Sequence, residues 1–364
     1  MFTRRISDSL FPLLLAIVVL TGAIATAAAQ ASSAETVIPL EGLDPVMLSQ
    51  GKEVQGDMKH KVTRGKFEYL FANAENKAVF EKDPARYEIQ VNGHCARMGA
   101  PTSGNPDLYL VHNGRIYVFG SEECQTLFKA TPEKYLEVPT PKSQPTEKMI
   151  KRGNELISKA IEVMGAEAKL KTLQKTELRG NQVKSVLTVV FPDSLRQEVI
   201  RSNFTLASVV TPSESFVVVN NLARPLPEDN RTALFNDLYR DPIFLLRAST
   251  QPDFKVWLSA NDSEEKTLAH LDIELPEFNT SLGLDPQTGR VMNQSFVGRG
   301  PGGVVGKIVI NYSDFRTVEG LVLPFKSTAT FDGQPFPALS GTIEAITING
   351  QVDPSSFKKP QARK

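Results

Sequence analysis

Apolar residues alternate with polar ones through much of the second half of the chain. The alternation starts after Thr176 and is clearest in residues 186–191, 204–206, 216–219 and 254–258. A period of two is typical of strands with one buried face. Because turn residues such as Pro-Asp and Asp-Gly separate these runs, the pattern predicts an antiparallel meander.

A helical period dominates residues 147–174. The apolar residues that recur there at helical spacing are Ile150, Ile157, Ala160, Ile161 and Met164. Gly165 follows them, and glycine is common just beyond a helix C-terminus, so we expect one amphipathic helix. A second helix is expected over residues 233–246. It should be interrupted near Asp241-Pro242 and lie against the sheet, because proline cannot continue a helix.

Residues 67–87 and 115–135 are an internal duplication at an offset of 48. The identical pairs are Tyr69/Tyr117, Phe71/Phe119, Glu75/Glu123, Phe80/Phe128, Pro84/Pro132 and Tyr87/Tyr135. Each copy predicts a short strand, a turn that can cap a helix, and one helix, which amounts to a ββα-like unit used twice. We assign its repeated aromatic residues to the core rather than to a stacking surface.

The N-terminus has the features of a secretory signal peptide over residues 1–31. Arg4 and Arg5 precede an apolar run at 10–20, and Ala29-Gln30-Ala31 is a cleavage pattern. No cysteine lies near that point, so the lipid-acceptor cysteine of bacterial lipoproteins is missing. We therefore expect a periplasmic or secreted protein. An uncleaved membrane anchor is the alternative, because the apolar stretch is nearly long enough to span a bilayer.

Prolines at 139, 141 and 145 mark an extended linker, residues 138–146. It divides the chain into a domain at 38–137 and a larger domain at 147–360. Across the whole chain, 41 Lys and Arg balance 41 Asp and Glu. No basic excess is available to hold a phosphate backbone, so nucleic acid is excluded from the predicted partners.

The first domain carries several separated motifs. They are Gly-Leu-Asp-Pro-Val at 42–46, Tyr-Leu-Phe-Ala-Asn-Ala-Glu-Asn at 69–76, Asp-Pro at 83–84 and Asn-Gly-His-Cys-Ala at 92–96. In this order they resemble a YHS domain, a family to which metal binding is attributed. The Cys-Gly-Met that follows Asp-Pro-Val in its metal-handling members is replaced here by Met47-Leu48-Ser49.

Four residues of this domain are candidate metal ligands: Cys95, Cys124, His94 and His112. Sulfur and imidazole together would suit a transition metal such as zinc or copper. The two cysteines are 29 residues apart and form no Cys-x-x-Cys motif. In an oxidising compartment a Cys95–Cys124 disulfide is the favoured alternative, and free buried thiols are the third.

The second domain also carries motifs at its turns and strand ends. They lie at residues 192–196, 284–289, 312–325 and 346–349. These motifs resemble the lipoprotein-sorting carriers of LolA/LolB type, which implies a strongly curved, incomplete β-barrel closed by helices over an apolar cavity. The predicted cavity lining is Phe191, Phe204, Leu206, Phe216, Val218, Trp257 and Phe296. The whole chain is thus expected to be α+β.

The sequence favours an exported, non-enzymatic binding protein. Its expected ligand is a lipid, a lipoprotein acyl chain or another apolar molecule, and its expected partner is membrane-associated. A metal-dependent enzyme at the domain interface and a purely structural or protein-interaction module remain as alternatives. The glycine-rich segment 298–307 departs from a phosphate-binding loop and is interpreted as a hairpin or flap. His270, in a strand-like context, is interpreted as structural.

Overall fold

A computed structural model describes residues 36–100, 102–136, 144–180, 183–202, 204–226, 228–260, 267–276 and 278–360. The predicted signal peptide and most of the predicted linker lie outside these residues. Within them, no helix combines the length and the apolar character needed to cross a membrane.

The part of the chain before the linker is built from two hairpins and four helices. Its strands are β1 (Asp57–Arg64), β2 (Phe67–Phe71), β3 (Asn105–His112) and β4 (Arg115–Phe119), and its helices are α1 (Pro45–Ser49), α2 (Ala74–Lys82), α3 (Pro84–Tyr87) and α4 (Glu122–Ala130). β1 pairs with β2 and β3 with β4, both antiparallel. Because a helix follows each hairpin directly, the predicted repeated ββα unit is confirmed. We refer to residues 36–136 as the N-terminal module.

The two copies of this unit also match in their side-chain contacts. The side-chain oxygens of Asn73 and Ser121 cap α2 and α4, accepting hydrogen bonds from backbone N–H groups three residues on, at 2.8 and 3.3 Å. The rings of Phe71 and Phe80 have their centroids 5.0 Å apart at an interplanar angle of 61°. In the second copy the matching pair, Phe119 and Phe128, has centroids 5.1 Å apart at the same angle. The aromatic pairs Tyr69/Tyr117, Phe71/Phe119 and Phe80/Phe128 are all buried, which confirms their assignment to the core.

The part of the chain after the linker forms one large antiparallel sheet. Its strands are β5 (Thr172–Arg179), β6 (Val183–Val190), β7 (Ser194–Ile200), β8 (Thr205–Val210), β9 (Ser215–Val219), β10 (Leu222–Pro225), β11 (Lys255–Leu258), β12 (Ala269–Leu275), β13 (Phe278–Leu284), β14 (Val291–Arg299), β15 (Val305–Val318), β16 (Leu321–Phe331), β17 (Gln334–Pro335) and β18 (Gly341–Ile348). Their order is β10-β9-β8-β7-β6-β5-β18-β16-β15-β14-β13-β12-β11, with β17 on β16. The predicted meander is confirmed in both halves of the sheet.

This sheet is curved and unclosed. β10 and β11 are its two edges in the described chain. The last strand, β18, pairs with β5 on one side and β16 on the other, and so joins the two meanders. Without β18 the sheet would divide into separate halves, so the expected incomplete barrel depends on a pairing between the two ends of the domain.

Three helices cover the inner face of the sheet: α5 (Glu147–Met164), α6 (Glu228–Leu238) and α7 (Pro242–Arg247). As predicted, α5 ends at Gly165, which adopts a left-handed conformation with φ 69°. Its Gly153 packs against the backbone of Trp257 on β11 so closely that a Cβ there would lie 2.5 Å from the Trp257 Cα. The predicted interruption at Asp241-Pro242 separates α6 from α7.

Candidate functional site

A cleft that is open to solvent lies between the sheet and the corner that joins α6 to α7. Six strands that are neighbours in the sheet contribute to its floor: β7, β6, β5, β18, β16 and β15. Residues 237–242 form its opposite side. The cleft therefore lies at the centre of the sheet, across the β5–β18–β16 junction.

Charged side chains line the floor of this cleft. The Lys175 Nζ lies 2.6 Å from Oδ2 of Asp241, and both side chains are largely buried. Burial alone would lower the pKa of Lys175, but the carboxylates of Asp241 and Glu177 outweigh it, so that the pKa lies above its ordinary value. Arg179 in turn pairs with Glu177 at 2.9 Å. The floor thus holds a protonated lysine within a compensated ion network.

A tyrosine and a glutamine extend this network beneath the α6–α7 corner. The Tyr312 hydroxyl lies 2.7 Å from the carbonyl oxygen of Arg240 and 2.9 Å from Oε1 of Gln294. Gln294 is fully buried and donates through Nε2 to the carbonyl of Tyr239 at 2.9 Å. Burial raises the pKa of Tyr312 well above its usual value, so this hydroxyl stays protonated.

Side-chain alternation along β5 and the N-cap of α7 explain why charged side chains face the cleft. Lys175 and Glu177 lie on the same side of β5 as the buried Leu173, because side chains alternate along a strand. Their register partners on β6 are Leu187 and Ser185. Asp241 is fixed by the start of α7, where its Oδ1 accepts a hydrogen bond from the Ile243 N–H at 3.0 Å. One carboxylate therefore both caps a helix and binds the buried lysine.

Apolar side chains form the remaining walls. They are Leu187, Leu238, Ile310, Phe325, Leu339 and Ile343. The guanidinium of Arg240 lies between the two kinds of surface, 5.0 Å from the ring centroid of Phe296, with its Nη1 2.7 Å from Asp237. The cleft is therefore amphipathic, with ionic side chains where β5 meets the α6–α7 corner and apolar side chains around them.

The seven predicted ligand-binding residues are not brought together in this cleft. None of them is among its lining residues. Phe191 stacks on Phe244 of α7 with centroids 6.2 Å apart, and Phe296 is the predicted residue in contact with the cleft side chain Arg240. The other five lie elsewhere in the sheet. Leu206 is on β8, which Phe204 directly precedes; Phe216 and Val218 are on β9, and Trp257 is on β11. Sequence patterning missed Lys175, Arg240, Asp241, Gln294 and Tyr312.

Of the four predicted metal-site residues, the structure brings the two cysteines together. Both are buried and free, and they belong to one core cluster. His112 instead packs edge-on against Phe128, with centroids 6.2 Å apart. No group of three or more His, Cys, Asp and Glu residues that could hold a metal is found in the described part of the chain.

The glycine-rich segment forms the hairpin loop between β14 and β15 and packs on the N-terminal module. Arg299 Nη1 donates to the carbonyl oxygens of Arg97 and Gly303, both at 3.0 Å. Gly303 has φ 85°, and a Cβ on it would collide with the Arg97 carbonyl. Val304 joins the cluster that contains both cysteines. The predicted hairpin is confirmed, and it connects the two parts of the protein.

No family model and no curated protein matches the chain. The solved structures that match the chain include the following two. A DUF1329 family protein from Desulfovibrio piger is 7% identical with a TM-score of 0.35, over 56% of this chain and 96% of that one. A LolA superfamily protein from Nitrosomonas europaea is 11% identical with a TM-score of 0.36, over 57% and 97%. Both TM-scores are below 0.5.

Proposed function

We propose that this protein is an exported carrier that binds an amphipathic molecule, with an acyl or similar apolar chain and a polar end, in the cleft under the α6–α7 corner. The observation that carries the proposal is the pairing of apolar walls with a buried ionic floor in one cleft. Apolar walls favour a hydrocarbon chain, whereas a few fixed polar groups orient a ligand and provide specificity. A purely apolar cargo would leave the floor unused.

The chemistry of the floor favours binding over turnover. A catalytic base or nucleophile needs a proton affinity matched to its task, but Lys175 is held protonated by two carboxylates and Tyr312 by burial. The Lys175 ammonium has three N–H groups, so it can donate to an oxygen-bearing head group as well as to Asp241. Arg179 lies at the same wall of the cleft and adds a guanidinium, which binds carboxylates and phosphates through paired N–H groups.

The sheet and the helices would have different roles in such a carrier. Six paired strands give a rigid floor, while the corner between α6 and α7 contributes the side opposite them. A long ligand could enter by displacement of this corner, which would break the Lys175–Asp241 pair and the hydrogen bonds from Tyr312 and Gln294.

Filling the cleft should weaken binding without disturbing the fold. Gln197 is a half-buried lining residue on β7. After removal of bound lipid, we expect Gln197→Trp to weaken binding of a single-chain fatty acid by about tenfold or more, which corresponds to about 1.4 kcal/mol. Isothermal titration calorimetry measures this change.

The matched control is Gln174→Trp, on the opposite face of β5 from Lys175. It introduces the same side chain into the same sheet outside the cleft, and the fatty acid should bind to it as to the unmodified protein. Equal affinities in the two variants, or no binding to the unmodified protein, would contradict the proposal.

A further inference from the structure

The two cysteines of the protein lie side by side in the N-terminal module. The chain at Cys95 pairs in a parallel bridge with Val118 at the end of β4, and Cys124 lies in the first turn of the next helix, α4. Both cysteines belong to one buried cluster, and Cys95 is close enough to Cys124 to contribute to the lowering of its pKa. A hairpin end and a helix start therefore bring together two free thiols from distant parts of the sequence.

Cys124 has the surroundings of a reactive thiol. Nη1 of Arg97 lies 3.7 Å from its sulfur, and its backbone N–H is bound by the N-cap Ser121. Burial alone would raise the pKa of Cys124, but hydrogen bonds from Ser121 and Arg97 outweigh it, and this pKa lies below its ordinary value. The Nε of Arg97 is buried and has no hydrogen-bond partner among the described residues.

The two thiols also differ in access. Cys95 is completely buried, whereas 9% of Cys124 is exposed. An incoming molecule thus meets Cys124 first, and Cys95 lies behind it. A partly exposed thiol next to a positive charge, with a second thiol behind it, is an arrangement suited to thiol–disulfide exchange.

We infer that Cys124 and Cys95 form a dithiol site that exchanges with a disulfide, Cys124 as the attacking thiol and Cys95 as the resolving one. The Cys124 thiolate attacks one sulfur of the incoming disulfide, and the other sulfur leaves as a thiolate. Cys95 then loses its proton and attacks the Cys124 sulfur, which releases the second half of the incoming molecule as a thiolate. The chain gains one disulfide, and the incoming disulfide is reduced to two thiols.

This site is distinct from the carrier cleft and independent of the function proposed for it. It does, however, lie at the contact between the two parts of the protein. The residue whose side chain contacts Cys124, Arg97, offers its carbonyl oxygen to Arg299. Because neither cysteine lines the cleft, exchange at this site can be measured on the full chain whether or not the cleft binds a ligand.

The test uses the reduced full-length protein and oxidised glutathione, with mass spectrometry after acid quenching. The unmodified protein should become lighter by two hydrogens, with no glutathione attached. Cys95→Ser should stop at the first step and keep one glutathione on Cys124. Cys124→Ser should not react. If the unmodified protein stays reduced, or if Cys124→Ser reacts as fast as Cys95→Ser, the inference is wrong.

Arg97→Gln tests the positioning role of the guanidinium. Loss of the guanidinium should raise the pKa of Cys124 and lower its thiolate fraction, and the higher nucleophilicity of the remaining thiolate offsets only part of this loss. We therefore expect glutathione uptake to slow by about threefold near neutral pH. Arg64→Gln, in an exposed pair with Glu88 of the same module, is the control and should leave the rate unchanged. An equal rate in both variants contradicts the role of Arg97.

Discussion

Replacing Asp241 with asparagine should lower the free energy of unfolding by about 3 kcal/mol or more, because it leaves the Lys175 ammonium buried without its carboxylate partner. Asparagine can still cap α7 through its side-chain oxygen, so the loss reports on the charge rather than on the helix start. Urea unfolding followed by the fluorescence of Trp257, the sole tryptophan of the chain, measures the change.

Two further variants test whether the loss of stability arises from the buried charge of Lys175. Glu155→Gln removes the carboxylate of an exposed pair with Arg152 on α5, and its effect should be no more than about 1 kcal/mol. Adding Lys175→Met to Asp241→Asn removes the unpaired charge and should recover much of the lost stability. If Asp241→Asn is as mild as Glu155→Gln, then Lys175 is not part of a buried ion network.

Replacing Gly303 with alanine should destabilise the protein by about 2–4 kcal/mol and detach the β14–β15 loop from the N-terminal module. Part of this, about 1 kcal/mol, is the cost of a side chain at positive φ. The remainder arises because the new Cβ collides with the carbonyl oxygen of Arg97, and overpacking of this kind costs about 1–3 kcal/mol. Urea unfolding and amide hydrogen exchange at residues 97–99 measure the two effects.

Gly320→Ala is the matched control for this variant. Gly320 has φ 83°, close to the φ 85° of Gly303, but nothing lies within 4 Å of the position of its Cβ. We expect it to show only the backbone cost, with hydrogen exchange at 97–99 unchanged. Similar losses in the two variants would mean that the loop does not hold the N-terminal module in place.

Local features of the fold were predictable from the sequence because local physics determines them. The duplicated unit followed from identities such as Phe80/Phe128, which occupy matching core positions. The end of α5 followed from Gly165, and the break between α6 and α7 from Pro242. The order of the strands was not predictable in this way, because β18 pairs with β5 across most of the domain and no short-range signal specifies that register.

The cleft was predicted less well, for a specific reason. Around Lys175 and Glu177 the neighbours Gln174 and Thr176 are polar too, so alternation along β5 does not reveal which face is buried. Prediction therefore relied on aromatic residues such as Phe216, which instead pack in the protein core. The resemblance of residues 38–137 to a YHS domain and the export of the chain stay predictions.

The two parts of the protein are in direct contact. The N-terminal module contacts the large sheet through Arg97 and the β14–β15 loop, and the sheet presents an amphipathic cleft beneath the α6–α7 corner. The central claim is that this cleft holds a molecule with an apolar chain and a polar end.

Native mass spectrometry of the protein purified from the periplasm, followed by organic extraction and lipid analysis, tests this claim most directly. We expect the unmodified protein to carry an amphipathic molecule that is absent from Gln197→Trp and retained by Gln174→Trp. A bare polypeptide mass with nothing extractable, or the same cargo on all three proteins, would contradict it.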